Sequence, residues 1–291
     1  MAAAPYNVAG RTVLITGASR GIGAETARQL GSRGANVALV GLEPEHLDEV
    51  AVQIGGRAAP FAADVRDTAQ VEAAVAAAVE RFGGIDIVIA NAGVATGGSF
   101  LDLDPAGFEA TIDINLCGVW RTLRAAAPFV VQRRGYLVGV ASLAAAMSPP
   151  FLSAYSASKA GVESMCDSLR MELRPRGVAV GVAYFGWIDT EMVRTASASY
   201  GFFDELVRRS RLPVLPVSAA GAAMVRGIER RARRIIAPRR IAPLILGARL
   251  LRPLVEAQGQ ELVERAIGEG MPPVSTIPPR LDSSVRDLSR V

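Results

Sequence analysis

The chain has 291 residues, half of them hydrophobic, and a net charge of +4, which is small for this length and suits one large α/β domain or two small ones. Its two cysteines, Cys117 and Cys166, lack the spacing of a disulfide framework or a metal site, and its single histidine, His46, nearly excludes His-based triads and multi-histidine metal centres. The opening MAAAPYNVAGR has no charged region followed by an apolar run, so no secretory signal is read there. No uninterrupted run of about 18 apolar residues suggests a membrane span. Buried thiols in a cytoplasmic, reducing setting are the expectation.

Short apolar runs are predicted as strands at residues 12–16, 36–40, 59–63, 86–90, 136–141, 178–183 and 234–237. Helical patterns lie between them, at roughly 23–32, 44–54, 68–82, 105–133, 151–173 and 218–231. This alternation is the signature of a Rossmann-like, doubly wound parallel sheet of about seven strands with helices on both faces. One domain is expected over residues 1–238. A helical extension over 239–270 and a Pro-rich, poorly ordered tail over 271–291 follow it.

The first strand runs into Thr16-Gly17-Ala18-Ser19-Arg20-Gly21-Ile22-Gly23, which opens the first helix. Glycines there let backbone turn tightly and approach a pyrophosphate, and the helix N-terminus offers free N–H groups and a positive dipole end. Farther along, the chain uses one lysine among its 32 lysine-plus-arginine cations, and that Lys159 stands four residues after Tyr155. On a helix this offset puts both side chains on one face. A lysine ammonium there can stabilise a tyrosinate and make the phenol a proton donor and acceptor near neutral pH.

With these motifs in order, residues 10–238 resemble the short-chain dehydrogenase/reductase family. The resemblance rests on Thr16-Gly17 through Gly23, Asp64-Val65 after the third strand and Asn91-Ala92-Gly93 after the fourth. It continues with Asn115 in the next helix, Ser142 at the end of the fifth strand, and Tyr155 with Lys159. One departure is Phe185-Gly186, where the family usually has Pro-Gly; Ile188 and Thr190 still match. The resemblance implies hydride transfer between a nicotinamide and a carbonyl or secondary alcohol. Tyr155 would be the general acid/base, and Lys159 would lower its pKa and bind ribose. Ser142 would bind the substrate oxygen and Asn115 would hold a water in a proton relay. The implied cofactor contacts are Gly17, Ser19, Arg20, Gly21, Ile22, Gly23, Asp64, Val65, Asn91, Ala92, Gly93, Gly186, Ile188 and Thr190, with Tyr155 and Lys159, and no metal.

An acid ending the second strand would select NAD through the ribose hydroxyls. The chain reads Val40-Gly41-Leu42-Glu43 there. Gly41 leaves room for a 2′-phosphate and Arg20 can pair with one, which favours NADP(H), with NAD(H) the alternative. Glu43 can instead be a solvated charge at a helix start.

Residues 226–252 carry nine arginines and one acid, Glu229, among apolar residues. That mixture fits either peripheral contact with an anionic membrane or a solvated helix face before a buried strand. Without interleaved aromatics it does not fit nucleic acid. Met147, Phe151, Phe185, Trp187, Met192, Phe202 and Phe203 suggest an apolar pocket for a lipophilic ketone or alcohol. The resemblance implies a homo-dimer or homo-tetramer through the helices at 105–133 and 151–173. The competing readings are a non-catalytic dinucleotide-binding regulator and a membrane-associated scaffold on the same fold.

Overall fold

Seven strands pair in parallel in the order β3-β2-β1-β4-β6-β7-β8. They are β1 (Thr12–Thr16), β2 (Asn36–Gly41), β3 (Ala58–Ala62), β4 (Ile87–Ala90), β6 (Tyr136–Val140), β7 (Ala179–Phe185) and β8 (Arg234–Ala237). In the register, Ile15 of β1 lies between Leu39 of β2 and Ile89 of β4. The computed structural model describes residues 5–199 and 201–248, and beyond them 250, 253, 256, 259, 260, 263, 264, 274 and 275.

Strands β1, β4 and β6 are buried along their whole length, which is why they read as continuous apolar runs rather than alternating ones. Successive side chains still part to opposite faces. Val13 and Ile15 pack with α1 (Gly21–Gly31), α2 (Pro44–Ile54) and α10 (Val217–Glu229) through Leu30, Leu47 and Met224. Leu14 packs with α3 (Thr68–Phe82), α5 (Gly118–Gln132) and α7 (Ser153–Leu173) through Val75, Leu123 and Val162. The strand order reverses between β1 and β4, and a crevice opens there at the carboxyl ends.

The structure departs from the sequence expectations in four places. The expected helix over 105–133 is three pieces: α4 (Pro105–Ile112), a π-helical turn (Asp113–Cys117) and α5. The wider turn carries the buried Asn115, whose side chain bonds the backbone of Val94. Strand β7 runs on to Phe185, which pairs with Ala237; proline would deny that position a backbone N–H. After the short α6 (Ala144–Met147), two more helices unforeseen in the sequence, α8 (Glu191–Ser199) and α9 (Gly201–Ser210), lie between β7 and α10. Within the tail, β9 (Val274–Ser275) pairs antiparallel with β5 (Thr96–Gly97).

The start of the expected extension joins the main core: α11 (Ala242–Leu246) follows a 3-10 turn, and Ile241 and Ile245 are buried in the α7 face. The rest of 239–270 and 271–291, apart from the residues named above, lies outside the described residues.

Candidate active site

A cavity of about 700 Å³ occupies the crevice, with the glycine turn at one end and Ser142, Tyr155 and Lys159 at the other. The turn is built for backbone approach. A Cβ on Gly23 would stand 2.1 Å from the Gly17 carbonyl oxygen, and one on Gly17 would stand 2.8 Å from the Ala92 Cα. Asn91 at the end of β4 holds the turn by donating from Nδ2 to the carbonyls of Thr16 and Gly17 at 3.0 and 3.1 Å. Helix α1 begins without a side-chain cap and without an acid in its first turn, so its N–H groups and positive end remain available to an anion. Ser19, Gly21, Ile22, Ala92 and Gly93 share this wall.

The rim beside the turn is charged. The Arg20 guanidinium donates to Glu191 at 2.7 Å and to Glu43, whose other oxygen accepts from the Ser19 hydroxyl at 2.9 Å. Two sequence readings change here. Glu43 occupies the N-cap position of α2, yet its carboxylate makes no cap bond and turns to the glycine loop. Arg20, expected to face a 2′-phosphate, is held between two carboxylates, because α8 carries a second acid to it. Asp64 and Val65 also line the cavity; the Asp64 carboxylate grips Arg66, with Nη2 at 2.7 Å.

At the other end, Tyr155 and Lys159 stand one turn apart on α7. Lys159, 3% exposed, donates from Nζ to the Val140 carbonyl at 2.9 Å and stands 5.7 Å from the Tyr155 ring centre. Burial lowers the lysine pKa to about 8. Burial raises that of the Tyr155 phenol, and the Ser142 hydroxyl, its hydrogen-bond partner, offsets part of the rise. The expectation that Lys159 would pull the phenol down is therefore not met in this state. The ammonium is turned to a backbone carbonyl, and desolvation acts on both groups.

Asn115 is brought beside this cluster but not into the cavity wall. Its Oδ1 accepts from Val94 N at 2.8 Å, and its Nδ2 donates to the Val94 carbonyl at 2.9 Å and to Ser158 Oγ at 3.1 Å. Ser158 Oγ donates in turn to the Tyr155 carbonyl at 2.7 Å. A methyl at Gly93 would lie 3.1 Å from Asn115 Oδ1 and 3.3 Å from Lys159 Nζ, so both atoms look toward one point beside Gly93. The sequence reading missed Ser158 and Glu191. The signal for Ser158 was a serine three positions after Tyr155 inside a helix, the place for a bond back to a carbonyl.

Gly186, Ile188 and Thr190 line the cavity, with Phe185 and Met192. Of the other aromatics expected at a mouth, Trp187 and Phe203 meet edge to face at 5.3 Å and pack with Phe151 in a cluster of their own. Trp187 donates to Ser210 at 2.9 Å. The Phe202 side chain lies outside the described residues, and Met147 belongs to α6.

The basic segment divides between surface and core. Arg231 donates to the carbonyls of Arg134, Gly135 and Gly177, while Ile235, Ile241 and Ile245 are buried. Leu246 and Leu250 are the exposed apolar members, and Arg249, Leu251 and Arg252 lie outside the described residues. Among the described residues most of the segment's isoleucines lie in the core, while Arg226, Arg230, Arg233, Arg239 and Arg240 are exposed together with Leu246 and Leu250. Among the described residues no helix is long and apolar enough to cross a membrane.

The family model of short chain dehydrogenases matches residues 11–201. Oxidoreductase UcpA of Salmonella typhimurium is 39% identical over 191 residues, 64% of this chain and 72% of that protein. Dehydrogenase/reductase SDR family member 7B of Bos taurus is 31% identical over 216 residues, 69% of this chain and 66% of that protein. A crystal structure of a 3-ketoacyl-(acyl-carrier-protein) reductase from Brucella melitensis complexed with NADH superposes with a TM-score of 0.71 at 27% identity, over 79% of this chain and 97% of that one. A short-chain dehydrogenase/reductase from Burkholderia phymatum in complex with NAD reaches a TM-score of 0.75 over 87% of this chain and 96% of its own; at 24% identity this is a likeness of fold.

Proposed function

The chain belongs to the short-chain dehydrogenase family, and on that premise we propose that it interconverts a lipophilic ketone and its secondary alcohol, with NAD(H) as the dinucleotide. The observation that carries this reading is one continuous cavity joining an uncapped, glycine-lined helix start to Ser142, Tyr155 and Lys159. The residues fit a dinucleotide: any side chain at Gly23 would fill the cradle, and the free N–H groups of α1 suit a pyrophosphate. Gly17, Ser19, Gly21, Ile22 and Gly23 would hold that part. Asp64, Val65, Asn91, Ala92 and Gly93 would line the middle. Gly186, Ile188 and Thr190 would line the far end.

A bound nicotinamide supplies or accepts the hydride; the protein supplies position and protons. The phenol of Tyr155, raised by burial, stays protonated at neutral pH and donates its proton to the substrate oxygen as that oxygen gains charge. The Ser142 hydroxyl, beside the phenol, donates a hydrogen bond to the same oxygen. Lys159 holds its charge below a pH of about 8 and turns it toward the cavity's inner wall, where a ribose would lie. Asn115 positions that cluster through Val94 and Ser158 and faces, with Lys159, the point beside Gly93 from which a proton can be replaced. A lipophilic substrate is supported by Val94, Phe185, Met192 and Val193 on the cavity wall.

NAD(H) replaces the expected NADP(H) because Glu43, steered by Ser19, offers a carboxylate to a ribose hydroxyl, and Arg20 is engaged by acids. The similar structure with bound NADH agrees with this choice. A homo-oligomer is also proposed, through α5 and α7, where Trp120 and Met171 are exposed; light scattering tests it.

The experiment for the function is a nicotinamide-fluorescence titration with NADH and NADPH, followed by turnover on a graded series of ketones. Tighter NADH binding and rates that rise with ketone apolarity are expected. Binding of neither dinucleotide by folded protein overturns the reading, and activity confined to small charged substrates overturns the substrate class.

A further inference from the structure

One guanidinium joins three elements at the cavity rim. Arg20 lies in the glycine turn, Glu43 at the corner between β2 and α2, and Glu191 is the first residue of α8. Nothing local demands these pairings. Glu43 leaves the start of α2 without a side-chain cap, and the first turn of α8 already receives a bond from Val193 N to Thr190 Oγ1 at 3.3 Å. The start of α8 lies against the start of α1: a Cβ on Gly21 would meet Thr190 Cγ2 at 3.6 Å. Glu191 thus reaches across from the segment after β7, the far wall of the site, to a residue of the phosphate end.

We propose that Glu191 is a specificity-determining residue: it occupies Arg20 and thereby makes the site reject a 2′-phosphorylated dinucleotide. The inference rests on the dinucleotide-dependent function proposed above. Arginine in a glycine turn is a natural partner for a phosphate, which it can bind bidentately. Here both of its terminal nitrogens already serve carboxylates. A 2′-phosphate must take the guanidinium from Glu191 and Glu43 and then lie close to both displaced negative charges. A 2′-hydroxyl needs nothing from Arg20 and can donate to Glu43. Discrimination is a difference of two affinities, and Glu191 lowers only the phosphorylated one. Glu43 alone leaves one terminal nitrogen of Arg20 free; Glu191 closes that vacancy from a different part of the chain.

The test is fluorescence titration of the full chain with NADH and with NADPH at matched ionic strength, for the unmodified protein, Glu191→Gln, Glu191→Ala and Glu191→Gln combined with Arg20→Leu. The unmodified protein is expected to bind NADH more tightly. Both single substitutions are expected to lower the ratio of the NADPH Kd to the NADH Kd by about three- to tenfold, the scale of one partly exposed ion pair. Arg20→Leu is expected to abolish that gain. An unchanged ratio in both single variants overturns the inference, as does a gain that survives Arg20→Leu. A preference of the unmodified protein for NADPH also overturns it while leaving the oxidoreductase reading intact. Binding of neither dinucleotide overturns the reading beneath it instead.

Discussion

The two ends of the cavity hold charge in opposite ways. At the inner end, Lys159 and Asn115 are buried, and their bonds run to backbone carbonyls, a backbone N–H and one serine. At the rim, the side chains of Arg20, Glu43 and Glu191 are 45, 21 and 61% exposed and bond to one another. Burial sets protonation at the first end, because desolvation shifts a pKa by whole units. At the second end water and salt screen the charges, so each pair is worth little and acts through selectivity. The inner end should therefore govern turnover and pH dependence, and the rim should govern which dinucleotide binds.

The largest break in that contrast is Tyr155→Phe. Loss of a positioned general acid typically costs about 10²- to 10⁴-fold in rate. Steady-state kinetics should show such a fall while the NADH affinity measured by fluorescence stays within about threefold, because the phenol oxygen handles the proton rather than the dinucleotide phosphates. Full turnover in the variant would remove the proton role from this end.

Lys159→Met tests the same end through stability. The folded-state pKa of Lys159 is depressed, from 10.5 to about 8, by burial. Below about pH 8 the fold carries the cost of a buried ammonium. Between pH 8 and 10.5 the unfolded chain binds a proton that the folded one does not, so stability rises with pH. The full rise is on the order of 3 kcal/mol. Denaturant unfolding of the cofactor-free protein between pH 7 and 10 should show this slope, and Lys159→Met should flatten it and be the more stable protein at pH 7. The comparison of the two proteins cancels Cys166, whose thiol burial pushes up to about 12 and which lowers stability as pH rises above 9.0. A difference between them that does not change with pH would mean that the ammonium is solvated or paired.

Ser158→Ala is the smaller test of the inner end. It removes an acceptor from the Asn115 amide and a donor from the Tyr155 carbonyl. A cost of about 1–3 kcal/mol in unfolding free energy is expected for a buried polar group left unpaired. Ser158→Thr, which keeps the hydroxyl, should recover most of it if the methyl is accommodated. Turnover should fall with stability only in the alanine variant.

What the sequence disclosed follows the same division. The strands were legible because sheet burial on both faces forces continuous apolar runs, and the glycine turn and the Tyr155–Lys159 offset are local patterns. The π-helical turn was not, since one extra residue hardly alters the apolar rhythm of 105–133. Neither was the state of Tyr155 and Lys159: their spacing is a sequence property, but the direction of each pKa shift depends on burial and on which carbonyl the ammonium faces. Ser158 showed itself only faintly, as a serine at the offset of a backbone bond. The sequence lets Arg20 pair with a 2′-phosphate, and a composition or spacing argument has no means of bringing Glu191 to it from the far side of the chain. The short pairing of Val274–Ser275 with Thr96–Gly97 is likewise long-range and carries no period.

The smallest expected effect, Glu43→Gln, sharpens the contrast from the rim. The substitution keeps the shape and removes the charge that Ser19 and Arg20 address. NADH affinity should fall about two- to fivefold, because a neutral amide is a weaker acceptor for a ribose hydroxyl than a carboxylate. Unfolding free energy should change by less than about 1 kcal/mol, since the pairs are partly exposed. Repeating both measurements at low and high salt separates the two ends. Added salt should screen the rim and shrink the difference between Glu43→Gln and the unmodified protein. It should leave the Lys159-dependent pH slope nearly unchanged, because ions do not reach a group enclosed by β6 and α7. If the two effects respond alike to salt, charge at the rim and charge at the inner end are governed by the same screening, and the division of labour proposed for this cavity does not hold.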